Sequence, residues 1–131
     1  MTYELNNFEG AYVECMLWAS TDLCEEDEEP EHLDDKGFTI YDLAPETLEL
    51  VRSECKAFQE LAKNELDKAY AGINDIYYDE SQAGHDFWLT RNGHGAGFWD
   101  RGLEYVGACL TAHARTFGSQ DPYSHEGKIY I

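Results

Sequence analysis

The sequence predicts an α+β domain: about three helices packed on a small antiparallel sheet made of a central hairpin and a C-terminal strand. Three observations carry that prediction. Apolar residues recur at helical spacing in three separate stretches, Asn92-Gly93 sits between two apolar segments as a hairpin turn would, and the chain ends in the strand-like Lys128-Ile129-Tyr130-Ile131. The length of 131 residues fits one domain, 1–131, and 43% apolar residues with nine Tyr, six Phe and three Trp supply a core.

The first helix is expected over about residues 7–20. Asn6 followed three residues later by Glu9 resembles a capping box, and Phe8, Tyr12, Cys15 and Ala19 share one face. An acidic loop at about 22–36 follows, then a short extended piece, Gly37-Phe38-Thr39-Ile40-Tyr41. Pro45 suits the first turn of a long second helix, whose stripe Val51, Cys55, Phe58, Ala62, Leu66 and Ala69 runs to a stop at Gly72. Pairs such as Glu49/Arg52, Glu60/Lys63 and Glu65/Lys68 lace its outer side, each worth ~0.2–0.5 kcal/mol, so it presents less free charge than its acid count suggests.

The hairpin is placed at 85–100, with either a two-residue or a four-residue loop. In both registers Phe87, Leu89, Ala96 and Phe98 share one face and Asp86, Trp88, Thr90, Gly97 and Trp99 the other. Asp100 can cap a third helix with the stripe Leu103, Val106, Leu110, Ala114 and Phe117, ending at Gly118. Asp121-Pro122 then turns the chain into the last strand, which joins the hairpin.

Charge is the main functional signal. Asp and Glu number 27 against nine Lys and Arg, a formal charge of −18. The excess is one-sided: residues 1–80 hold 22 acids and five bases, residues 81–131 five acids and four bases. Adaptation to high salt would spread acids over the whole surface, and direct binding to nucleic acid or to an anionic membrane draws on Lys and Arg. The expected partner is therefore a basic protein. The candidate contact residues are Asp22, Glu25, Glu26, Asp27, Glu28, Glu29, Glu31, Asp34 and Asp35, with Glu9 and Glu14 of the first helix adjoining them. The competing reading of such a run is a solvated loop held extended by its own repulsion. Trp88 and Trp99 are secondary candidates for a contact face, either as an exposed anchor or covered by a helix.

Catalytic and metal chemistry find weaker support. His85, Asp86, Arg91, His94 and Asp100 are the raw material for acid-base work or a metal site, yet an extended hairpin would hold the two His roughly 20 Å apart. Asp86 can instead pair with Arg101. Cys15, Cys24, Cys55 and Cys109 lack zinc-binding spacing and read as reduced thiols. The acidic run lacks the central Gly and alternating ligands of a calcium loop, no nucleophile elbow occurs, and Gly93, Gly95 and Gly97 follow no phosphate-binding pattern. No catalytic residue, metal or cofactor is assigned. Without a signal-peptide pattern or a long apolar run, a soluble cytosolic protein is expected.

The stretch from Gly84 to Gly102, GHDFWLTRNGHGAGFWDRG, resembles a family of small acidic proteins common in bacteriophage genomes. The likeness extends more loosely to Tyr12–Thr21, Asp42–Leu48 and Gly127–Tyr130, and so covers most of the chain. No functional residues are carried over from it. The resemblance implies an accessory phage protein of the host cytoplasm, and by analogy a non-enzymatic inhibitor of a nucleic-acid-targeting defence system of the anti-CRISPR or anti-restriction type. Its partner would be a basic host protein such as a CRISPR effector or restriction nuclease, met by an acidic surface that mimics DNA. The alternatives are a self-associating structural or regulatory phage protein, as a homodimer using its aromatic face, and third a hydrolase or metal-dependent enzyme at the hairpin.

Overall fold

The computed structural model describes residues 4–20 and 32–131. They form five α-helices: α1 (Asn7–Ala19), α2 (Pro45–Leu61), α3 (Lys63–Ala71), α4 (Glu80–Arg91) and α5 (Glu104–Arg115). Two short 3-10 turns, Ile40–Asp42 and Phe98–Asp100, and a two-stranded antiparallel sheet of β1 (Tyr123–His125) and β2 (Lys128–Tyr130) complete them. This overturns the predicted arrangement of three helices on a central hairpin sheet, since the segment read as that hairpin is helix α4, a turn and a 3-10 turn.

The first helix is where its capping residues put it. The Asn6 side chain accepts the Glu9 N–H (2.8 Å) and the Glu9 carboxylate accepts the Asn6 N–H (3.0 Å), a complete capping box. The piece expected to be extended instead tightens into a 3-10 turn, because Thr39 and Asp42 cap each other: the Thr39 N–H donates to Asp42 (2.8 Å) and the Tyr41 N–H to Thr39 Oγ1 (3.3 Å). The long second helix is two, broken at Ala62, with Gly72 as the stop at φ +101°. Its predicted stripe is buried throughout, from Val51 and Cys55 through Phe58 and Ala62 to Leu66 and Ala69. Lys63 pairs with Asp67 (2.9 Å), and Glu65 lies 3.8 Å from His113 of α5.

The hairpin signal is reversed by its own turn residues. Asp79 caps α4 by accepting the Gln82 N–H (2.8 Å), and Asn92-Gly93 ends the helix. Gly93 adopts φ +70°, its N–H donates to Thr90 O (3.2 Å), and the His94 N–H reaches back to Leu89 O (3.0 Å). Those two bonds are a Schellman cap, which places the same demand for a left-handed residue as a tight hairpin turn does. Helix α4 is buried nearly all round, at Ala83, Gly84, Asp86, Phe87, Trp88, Leu89, Thr90 and Arg91, so it has no solvent face to give it a helical period. Against it α1 packs so closely that a Cβ on Gly84 would lie 2.0 Å from Phe8 O.

The core is aromatic. Phe58 stacks on Phe87 (4.2 Å between ring centres), Phe98 lies beyond Phe58 (5.6 Å), and Phe8, Tyr12 and Phe117 close around them. The Phe98–Asp100 turn is held by Asp100 accepting the Gly97 N–H (3.2 Å), so Asp100 caps this turn and α5 starts later, at Glu104. The final strand does not join a central hairpin. It pairs with β1 in the register Tyr123/Tyr130, Ser124/Ile129 and His125/Lys128, through a Glu126-Gly127 turn with both residues at positive φ. The buried Ile129 pins this sheet to the start of α2, where the Ala44 N–H donates to Ile129 O (3.0 Å). Among the described residues no helix is long and apolar enough to cross a membrane.

Candidate functional site

The site is built from the outer face of α1 and the chain that returns to it. Glu14 and Trp18 are four residues apart and so lie one above the other on the helix, with Leu17 beside them. The Leu17 carbonyl accepts the Asp34 N–H (3.1 Å) and the Ser20 carbonyl accepts the Leu33 N–H (3.0 Å). These bonds bring the residues on either side of 21–31 together at the C-terminal end of α1, with Leu33 buried beneath. Phe38, Thr39 and Ile40 then lie alongside, and with Glu14, Leu17, Trp18 and Asp34 they enclose a groove of about 500 Å³. Trp18 is 57% exposed, a large apolar surface left open beside carboxylates.

Acidic residues gather at this corner. A helix C-terminus carries roughly half a negative charge and is ordinarily matched by a cation, yet the last turn of α1 has no basic residue. Asp34 and Asp35 are exposed there, and seven of the chain's acids fall in 21–31, immediately before them. Over residues 1–51 there are 15 acids and a single Lys or Arg, Lys36. Two cations are engaged by acids elsewhere: the Arg91 side chain is only 2% exposed against Glu54, and Arg101 grips Asp86 while lining a neighbouring recess with Glu14.

The structure brings together part of the predicted acidic set. Glu14 and Asp34 line the groove and Asp35 is exposed next to it. The Glu9 carboxylate caps α1 and lines a different recess with Arg52, Lys56 and Lys63. Asp22, Glu25, Glu26, Asp27, Glu28, Glu29 and Glu31 lie outside the described residues. Trp18 was not among the candidates. The signal for it was its absence from the stripe Phe8, Tyr12, Cys15 and Ala19, which left one Trp on the outside of an otherwise well-defined helix.

Trp88 and Trp99 do not form a shared face. In a helix Trp88 points inward, 1% exposed and edge-on to Tyr12 (5.4 Å), whereas Trp99 is 42% exposed beneath the Arg115 guanidinium (5.9 Å). Two members of the predicted His/Asp set, Asp86 and Arg91, are engaged in interior hydrogen bonds. Asp86 is fully buried and accepts from Tyr78 Oη (2.8 Å), Gln82 Nε2 (3.1 Å) and Arg101 Nη2 (2.7 Å) and Nε (3.0 and 3.1 Å). Burial and then the Asp86 charge push the Tyr78 phenol well above its ordinary range, so it stays a donor. Arg91 donates to Gly118 O (2.8 Å), Phe117 O (3.0 Å) and Tyr12 Oη (3.0 Å) as well as to Glu54. The 20 Å separation expected of His85 and His94 assumed extended strand; residues 85 to 91 rise only about 9 Å along a helix. No group of three or more His, Cys, Asp or Glu among the described residues could hold a metal ion. Cys15 is pushed up to about 12 by burial and then by Asp86, and burial raises Cys55 too, which keeps both as unreactive thiols.

Compared with known proteins, the chain matches no family model, no curated protein and no solved structure.

Proposed function

We propose that this protein is a non-enzymatic, acidic decoy that occupies the nucleic-acid site of a basic host protein. The observation that supports the proposal is that Glu14 and Asp34 line one groove on α1, with Asp35 exposed next to it and no basic residue in the last turn of the helix. Acidic side chains gathered beside an exposed Trp fit a surface kept for a partner. A site that grips nucleic acid presents clustered Lys and Arg to a row of phosphates, and carboxylates at comparable density satisfy the same cations. Complementarity of this kind speeds encounter and selects the partner.

The likeness of Gly84–Gly102 to small phage proteins narrows the partner to a host defence enzyme, a CRISPR effector or restriction nuclease. That motif builds the interior: its Asp86, Arg91, Thr90 and Gly97 hold α4 to its neighbours. Recognition then falls to the acidic corner. Affinity capture from host lysate, read by mass spectrometry, tests the proposal. Recovery of a basic nuclease or CRISPR effector, lost when Glu25, Glu26, Glu28 and Glu29 are changed to Gln, is the expected result. Capture unaffected by those changes, or of virion proteins only, would overturn it.

A further inference from the structure

The acidic corner is not only a row of charges. Its groove of about 500 Å³ is lined by Leu17, Trp18, Phe38, Thr39 and Ile40 together with Glu14 and Asp34, so apolar side chains and carboxylates share one recess. One face of the Trp18 ring is approached by His85 (6.2 Å between ring centres), and the side chain nevertheless remains 57% exposed. A purely electrostatic decoy has no use for such a recess, since an exposed Trp beside carboxylates adds nothing to a charge match.

Charge complementarity selects a cationic occupant, and the apolar lining selects an apolar side chain within it. Proteins that bind unpaired nucleic acid combine these two chemistries: a positive groove for the phosphates and aromatic side chains on which bases stack. We infer that the groove receives a Lys- and Arg-rich segment of the partner carrying an aromatic side chain between its cations, with Trp18 standing where a base would stack and Glu14 and Asp34 where phosphates would lie. This rests on the decoy reading and narrows the partner to one that handles single-stranded nucleic acid.

The test uses the full chain and two terminally blocked peptides, Arg-Lys-Phe-Arg-Lys and Arg-Lys-Ser-Arg-Lys, titrated at low ionic strength with affinities measured by calorimetry. The Phe peptide is expected to bind about tenfold more tightly, the gain for partly removing an aromatic side chain from water. Trp18→Ala erases that difference while leaving the Ser peptide unchanged, and Glu14→Gln with Asp34→Asn weakens both peptides alike. Circular dichroism confirms that each variant is folded. Equal affinities of the two peptides for the unaltered chain, or a preference that survives Trp18→Ala, would overturn the inference. If both peptides then still bind in a salt-sensitive way, the decoy reading stands without the groove, and if neither binds, both fall.

Discussion

Replacing Arg91 by Met tests whether the interior is held by charge as well as by aromatic packing. The Met side chain keeps an apolar stem near the Phe87 and Phe117 rings, which the guanidinium carbon now approaches at 5.5 and 5.7 Å. What is lost are the donors to Gly118 O, Phe117 O, Tyr12 Oη and Glu54, which together tie α1, α2 and the chain just after α5 to α4. The two carbonyls are partly buried and recover some of their bonding from water. The larger loss is the ion pair, whose cation is only 2% exposed; removing one partner of such a pair costs roughly 3–5 kcal/mol. A domain of this size has about 5–15 kcal/mol in all, and the melting temperature should fall by roughly 10–20 °C. Urea denaturation of Arg91→Met, Glu54→Gln and the double variant measures the coupling. The double variant should be less destabilised than the sum of the singles by about 1–3 kcal/mol. Additivity within about 0.5 kcal/mol would mean that Arg91 and Glu54 do not stabilise each other and would refute the reasoning.

Gly84→Ala should lower stability by about 3 kcal/mol or more, because its Cβ meets the Phe8 backbone and neither helix can yield without opening the core, whereas Gly10→Ala, with nothing near its Cβ, should gain about 0.5–1 kcal/mol; chemical denaturation separates them. Raising pH should destabilise the fold above about pH 9: the neutral Cys15 thiol, held to about 12 when folded, contributes stability that is full below 9.0 and lost as pH climbs toward 12, and Cys15→Ala should flatten that slope in a pH series of melts. A chain with Trp99→Phe has Trp18 as its one well-exposed indole. Caesium should quench its fluorescence more than iodide at low salt, with the difference shrinking as ionic strength rises, and equal quenching would deny a negative field at the groove.

Three local features read from the sequence are present in the structure. Asn6 and Glu9 capped α1, the stripe from Val51 to Ala69 went inward, and the Asp86–Arg101 pair formed. The central hairpin failed because Asn92-Gly93 serves two structures equally well, a tight strand turn and a helix cap, and the local sequence offers no arbitration between them. Helicity in α4 is imposed from outside: its all-round burial comes from α1 and from the core aromatics, which are distant in sequence. The same distance hid the groove. Glu14 and Asp34 were visible as acids, but that Leu17 receives the Asp34 N–H and that Phe38 and Ile40 line one groove with Trp18 depend on contacts across the acidic segment that no local pattern contains.

The central claim is that the acidic corner and nucleic acid compete for one cationic surface. Its most direct measurement is retention of captured host protein on the immobilised chain across a salt series, with and without added nucleic acid, for the native sequence and for the variant with Glu25, Glu26, Glu28 and Glu29 changed to Gln. The account predicts that retention falls steeply with salt, that nucleic acid displaces the captured protein, and that the Gln variant loses most of the salt dependence. Retention indifferent to salt and to nucleic acid, and equal in the two chains, would contradict it.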